Sequence, residues 1–286
     1  MRHKWLLVTI CLFVIVLFGC QEQEKLMETS GTALNQEEFT KEIGEKEGIP
    51  FELPMNVMKD IMFQYNVTWA SELTLEDFEK LEELRISEEF DVDSFVEFIP
   101  NLKHLTVEVP LKDWSFLKKL SNIEGISISN NTLEDLTFLS NAKKLSFVYI
   151  QGANLKSMKG IEELSNLEFF IIDHSNVTDF SALQKVPQLK SLDIINSELY
   201  SLEPIQYLTR LERLSIQGNQ VSDLSPLAKI NTLKILDIRE TNVISIEPIL
   251  GLEQLNLLLL EKDKVTDWTL LEEKEHLKVV ESIEIG

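Results

Sequence analysis

Apolar residues return along this chain at a fixed interval of 22 residues, at Ile123, Leu145, Leu167, Leu189, Leu211, Leu233, Leu255 and Leu277. Within each interval the apolar places are one, four, six, eleven, fourteen, seventeen and usually twenty; Leu211, Leu214, Ile216, Val221, Leu224, Leu227 and Ile230 show the full set. The step of two between places four and six is the alternation of a short strand, and the later steps of three suit tight turns or 3₁₀ helix. A period of 22 is not a multiple of seven, which excludes a coiled coil. Two earlier units, from Leu81 and from Leu102, are each one residue shorter. In the second, Leu111, Trp114, Leu117 and Leu120 recover the register, so the missing residue falls in the loop after the strand. One strand per unit predicts a stack of coils around a shared core, in which no coil is stable alone.

Polar residues recur as well. Place thirteen reads Asp135, Ser157, Asp179, Ser201, Asp223, Ser245 and Asp267, short side chains able to cap backbone N–H groups at the following turn. Glu203-Pro204, Ser225-Pro226 and Glu247-Pro248 put a proline where the first turn of a short helix leaves an N–H unused. Upstream, Leu53, Val57, Ile61 and Met62 form a helix-like stripe between Phe51 and Tyr65, followed by a short extended piece at Val67 to Trp69. Thr74 with Asp77 three residues later then signals a second helix start.

The stretch Leu211 to Ile230, with Asn219 and the run Asp223-Leu224-Ser225-Pro226-Leu227, resembles the 22-residue leucine-rich repeat of the bacterial internalins. This resemblance covers roughly residues 50 to 286. It implies an α/β fold: a curved right-handed leucine-rich-repeat solenoid, with a parallel sheet on the concave face, short 3₁₀ turns on the convex face and a helical N-terminal cap. The cap is expected over residues 47–80 and the repeat domain over 81–286. In the family, place nine is an Asn whose buried amide bonds the turning backbone. Here only Asn131 and Asn219 keep it, against Ala153, Ser175, Ser197, Thr241 and Asp263, which predicts a degraded ladder and a less rigid coil. The last unit is expected to direct Leu277 and Val280 inward, with Lys278, Glu281 and Glu284 guarding the terminal strand edge.

Residues 1–19 form a basic stub, Arg2, His3 and Lys4, and an apolar run from Trp5 to Phe18. Its 14 residues would reach only about 21 Å as a helix, short of a hydrocarbon layer of roughly 30 Å, so a signal peptide is favoured over a membrane span. Leu17-Phe18-Gly19-Cys20 resembles a bacterial lipobox, which implies acylation of Cys20 and a lipid anchor on the extracellular face of the cell membrane. Residues 20–46, rich in Glu, Gln, Thr and Ser, read as a flexible acidic tether with a root-mean-square span on the order of 28 Å.

Composition narrows the partner. The chain has 286 residues and a formal net charge of −21; without residues 1–19 it carries 25 basic and 48 acidic side chains, a net −23. That sign argues against nucleic acid, because phosphate is repelled and counterion release needs Lys and Arg. His104, His174 and His276 stand at unrelated places without a Ser or Cys partner at motif spacing, both cysteines lie in the first 20 residues, and the glycines form no phosphate loop. A non-catalytic chain without cofactor or metal is therefore expected. Asp173, Asp193 and Asp237, on the strand face, read more cheaply as solvated charges than as cation ligands.

Places three, five and seven point outward on the strand side. They are mostly small or polar, as at Gly125, Ser127, Ser129, Ser191, Asp193, Arg213, Ser215 and Gln217. Phe147 and Tyr149 break the pattern beside Phe169 and Ile171 in the next unit, with Ile195 one strand further. Such a group, expected to be solvent-accessible, has the composition of a protein-binding hot spot, although the same side chains would also serve by packing on one another or under a loop. A second apolar set, Ile235, Leu257, Leu259 and Val279, suits ligand binding, self-association or terminal packing equally. Two functions remain open: a membrane-anchored extracellular protein-binding module, or an envelope component that binds a wall polymer or spaces its neighbours. The resemblance includes no sorting motif and no Ig-like domain, so host-cell invasion is not part of what it implies.

Overall fold

Each repeat offers two inward apolar side chains two residues apart, and a strand that short is stable only when strands on both sides complete its hydrogen bonds. The computed structural model, which describes residues 52–129, 132–152, 154–271, 274 and 276–281, has ten such strands in one sheet, and all but the two at its edges are flanked on both sides. The strands are β1 (Glu83–Ile86), β2 (His104–Val107), β3 (Gly125–Ser129), β4 (Phe147–Gln151), β5 (Phe169–Asp173), β6 (Ser191–Ile195), β7 (Arg213–Ser215), β8 (Ile235–Asp237), β9 (Leu257–Leu260) and β10 (Lys278–Glu281). They pair in parallel and in sequence order, each with only its chain neighbours. The expected signal segment with Cys20, the expected tether and the first residues of the expected cap lie outside the described residues, as do Asn131 and Ala153.

Register follows the period. Glu83 pairs with His104 and His104 with Gly125, steps of 21; from Gly125 to Leu257 every step is 22. The last coil departs from expectation. Lys278, not Val279, pairs with Leu257, so this coil is again one residue short. A one-residue shift turns each strand residue to the opposite face. Val279 therefore stands opposite inward-facing Leu258, and Val280 takes the outward place beside Leu259. The expected inward position of Val280 and outward position of Val279 are thus exchanged.

Opposite the sheet the chain crosses in short 3₁₀ segments, among them Thr137–Asn141, Ser181–Lys185, Glu203–Tyr207 and Ser225–Lys229, the last two with proline in their first turn. The first coil instead uses one α-helical turn, Val92–Phe95, capped by Asp91. Place thirteen caps as its chemistry dictates: backbone N–H groups of Thr137, Lys159, Ser181, Glu203, Ser225 and Glu247 donate to Asp135, Ser157, Asp179, Ser201, Asp223 and Ser245 at 2.8–3.3 Å. Hydrogen bonds from the hydroxyl and backbone of Ser181 and Ser225 hold the carboxyls of Asp179 and Asp223 below their ordinary range. Asp267 differs, accepting from Ser245 Oγ and Ile246 N of the preceding coil.

The place-nine ladder is less degraded than its composition implies. Asn219 Oδ1 accepts from the N–H groups of Ser197 (3.1 Å) and Leu199 (2.9 Å), while Nδ2 donates to the carbonyls of Ile194, Ile216 and Gln217. Ser197 and Thr241 donate to Ile195 O and Ile238 O, both at 2.6 Å, and Ser175 makes a longer bond of 3.4 Å to Asp173 O. A hydroxyl supplies part of what the amide does, so all of these side chains stay buried without stranding their oxygens.

Ahead of β1, helix α1 (Met55–Gln64) buries Val57, Met58, Ile61 and Met62 and packs against that strand. Helix α2 (Leu75–Glu79) begins at Thr74, whose N–H and hydroxyl both donate to Asp77 Oδ2. No helix among the described residues is long and apolar enough to cross a membrane.

Candidate functional site: the outward face of the sheet

Three rows of side chains run across the strands on the face turned away from the core. Place three reads Phe147, Phe169, Ser191, Arg213, Ile235 and Leu257 from β4 to β9; place five reads Tyr149, Ile171, Asp193, Ser215, Asp237 and Leu259. Neighbours in a row are about 4.8 Å apart, so Phe147 lies beside Phe169 and Tyr149 beside Ile171. Place seven aligns Gln151, Asp173 and Ile195. The five apolar residues singled out by pattern are thereby brought together across β4, β5 and β6.

They are not equally accessible. Phe147, Phe169 and Ile195 are half-buried, whereas Tyr149 and Ile171 retain only 8% and 7% of their exposure. For these two the expectation of solvent-accessible side chains is corrected. The two pair with each other between the row of Phe147 and Phe169 and the row of Gln151 and Asp173, and closely spaced large side chains cover one another. Tyr149 also feels the charge of Asp173. Burial first, and that carboxylate second, push its phenol up to about 12.

A pH dependence follows. The phenol is neutral in the folded chain until about pH 12, while an unfolded tyrosine ionises near 10. Its contribution to stability is thus complete below about pH 10 and is lost as pH rises towards 12. Absorbance at the tyrosinate band is expected to show a last step near pH 12, later than that of Tyr65, which burial also raises, and Tyr149→Phe to remove that last step. A titration unchanged by the substitution would refute the assignment.

At β6 and β7 rows three and five turn polar, with Ser191, Asp193, Arg213 and Ser215. Arg213 reaches back across one strand to Asp193, with Nε to Oδ1 and Nη2 to Oδ2 both at 3.2 Å. Arg239 holds Asp237 through Nε (2.9 Å) and Nη2 (2.6 Å), and its Nη2 also donates to Gln217 Oε1. In each pair the carboxylate lies underneath: Asp193 and Asp237 side chains are 9% and 6% exposed, against 34% and 27% for Arg213 and Arg239. These two aspartates are therefore not the solvated charges that composition implied. Desolvation raises the Asp193 carboxyl above its ordinary range, although the guanidinium beside it pulls the other way. Asp173, the third, contacts His174 Nδ1 at 2.6 Å and accepts from Gln151. Neither arginine pair was expected from the pattern, although Arg213, 20 residues after Asp193, stands one coil on and two places back, and Arg239 follows Asp237 by two along the same coil, spacings the repeat makes legible.

Along one flank Glu168, Glu212, Lys190 and Lys234 close ion pairs between consecutive coils, Lys190 to Glu168 and Lys234 to Glu212, each at 2.7 Å. Exposed pairs of this kind contribute about 0–1 kcal/mol each, so they set the local charge more than the stability.

No family model and no curated protein matches the chain. Solved structures do. The fold is similar to that of an internalin (inlF) from Listeria monocytogenes, with a TM-score of 0.61 at 19% identity over 79% of this chain and 74% of that one. Internalin C2 from the same species gives 0.59 at 20%, over 75% of this chain and all of that one, 100%. A leucine-rich-repeat protein of Leptospira interrogans gives 0.59 at 18%, over 74% of this chain and 58% of that one. At such identities the likeness speaks for the fold, and with ten parallel strands and short 3₁₀ crossings it makes this chain an α/β leucine-rich-repeat solenoid.

Proposed function

We propose that this solenoid is a non-catalytic, bacterial protein-binding module, held by a lipid on Cys20 at the extracellular face of the cell membrane. Its partner contacts Phe147, Phe169 and Ile195, with Tyr149 and Ile171 beneath them as support. The observation that carries this reading is the pairing of two half-buried phenylalanines in adjacent strands, flanked in the same rows by Gly125 and Ser127 of β3 and by Ser191 and Asp193 of β6. Folding gives no reason for it, because the core of the same coils is already filled from the other side by Val148, Ile150, Phe170 and Ile172. Aromatic side chains that keep part of their surface in water, ringed by groups able to hydrogen-bond, are the usual anchors of protein interfaces.

The accessible members are the two phenylalanines, so the informative variant is Phe147→Ala with Phe169→Ala. Capture of a protein from cell-envelope extract by the full-length chain is expected to weaken by about 2 kcal/mol or more for each truncation, with melting close to wild type. Undiminished capture by the folded double variant would sink the assignment.

Anchoring has its own test. Cys20→Ser is expected to release the protein from the membrane fraction or leave an unprocessed precursor, since a thioether-linked lipid has no other cysteine beyond residue 20 to use. Normal processing and unchanged fractionation would exclude the lipid anchor.

A further inference from the structure

Row three of the sheet places an arginine midway between two apolar anchors. Phe169 on β5, Arg213 on β7 and Leu257 on β9 occupy equivalent register positions, each two strands from the next. At about 4.8 Å per strand these separations are about 10 Å and 10 Å. Leu257 and its row-five neighbour Leu259 are half-buried, as Phe147 and Phe169 are at the other end. The face is thus apolar, then cationic, then apolar, with even spacing along the axis of the coils.

Charge at the centre runs against that of the chain. The carboxylates of Asp193 and Asp237 lie beneath their arginines, so solvent meets guanidinium in the middle of this face while the chain as a whole carries −21. Asp193 takes Nε and Nη2 of Arg213; Asp237 and Gln217 take Nε and Nη2 of Arg239. None of the described residues accepts from Nη1 of either side chain. A guanidinium has five N–H donors in a fixed plane, and a carboxylate is the acceptor that fits the unused ones best.

Resting on the protein-binding reading above, we propose that the partner is an amphipathic helix laid across the strands, with an acidic side chain over Arg213 and an apolar side chain on either side of it. The spacing selects the helix. Residues seven apart on an α-helix lie about 10.5 Å apart on one face, matching both intervals. An extended strand reaches about 10 Å in three residues, and three residues bring its side chain to the opposite face. The motif is therefore apolar, acidic, apolar at positions i, i+7 and i+14, with the first or last seated on Phe147 and Phe169 and the other on Leu257 and Leu259.

A displayed library of helices of about 21 residues, randomised along one face, tests this directly against the immobilised full-length chain. Removing Arg213 alone would strand Asp193, so the comparison chain carries Asp193→Asn with Arg213→Gln, a neutral pair of similar size. Selection on the unsubstituted chain is expected to enrich Asp or Glu at i+7 between apolar residues at i and i+14. The selected helices are expected to bind the comparison chain about tenfold more weakly, and reselection on it to lose the acidic preference. Enrichment of the apolar pair alone, with binding abolished by Phe147→Ala and Phe169→Ala but indifferent to the Arg213 change, would overturn this inference and leave the aromatic site standing. Enriched helices indifferent to the two phenylalanines, or no enrichment at all, would overturn both.

Discussion

Leu214→Asp is expected to unfold the solenoid outright. Leu214 is fully buried on β7, paired between Leu192 of β6 and Leu236 of β8, themselves fully buried. Truncating such a leucine to alanine costs about 2–5 kcal/mol through lost transfer energy and the cavity left behind. A carboxylate adds the penalty of a buried polar group with no donor to meet it, roughly 2–7 kcal/mol, and the sum rivals the 5–15 kcal/mol that holds a typical domain together. Circular dichroism is expected to show the loss of β signal at room temperature, and Leu214→Ala to remain folded with a lowered melting point. A wild-type melting temperature for the aspartate variant would mean that place four does not face the core.

Asn219→Ala is expected to have the second largest effect, although it removes few atoms. The amide closes five hydrogen bonds to the backbone of two coils, and its loss leaves the N–H groups of Ser197 and Leu199 without their acceptor. Unsatisfied buried groups cost about 1–3 kcal/mol each, so a loss of about 2–4 kcal/mol is expected in urea denaturation. Ser175→Ala is the matched comparison, because among the described residues its hydroxyl makes one bond, of 3.4 Å to Asp173 O. If the two substitutions cost the same, Asn219 holds the turn by shape and not by its hydrogen bonds.

Much of this architecture was legible in the chain because a coil of 22 residues repeats its instructions. The spacing between Ile123 and Leu255 gave strand positions, inward faces and register for the middle of the sheet, and the shortened units at Leu81 and Leu102 were visible as steps of 21. The end of the stack was not. Leu277, Val279 and Val280 put apolar residues in both possible phases, and period alone cannot choose between them; pairing with Leu257 and Leu258 does. Direction was also easier to read than exposure. Phe147, Tyr149, Phe169 and Ile171 all sit at outward places, but how far each is covered depends on the size of the side chains in the adjoining strands, which a one-dimensional pattern does not weigh. Asp193 shows the same limit for charge. Its fate is decided by Arg213, 20 residues on, which becomes a neighbour only when the coils stack.

Sequential pairing also governs how the molecule comes apart. Every strand finds its partners within 22 residues on either side, so closing each coil costs the same modest loop entropy and no strand waits on a distant segment. Cooperativity is then passed from coil to coil, and the weakest junction decides whether the array melts as one body or parts into two. Between the coils of β5 and β6 the place-nine tie is the Ser175 N–H donating to Ser197 Oγ at 3.3 Å, while the next junction has the full amide of Asn219. At place nine the β5–β6 junction is thus tied more lightly than the next one, and it lies at the edge of the aromatic cluster: a partner that bridges Phe169 and Ile195 would splint the two coils there.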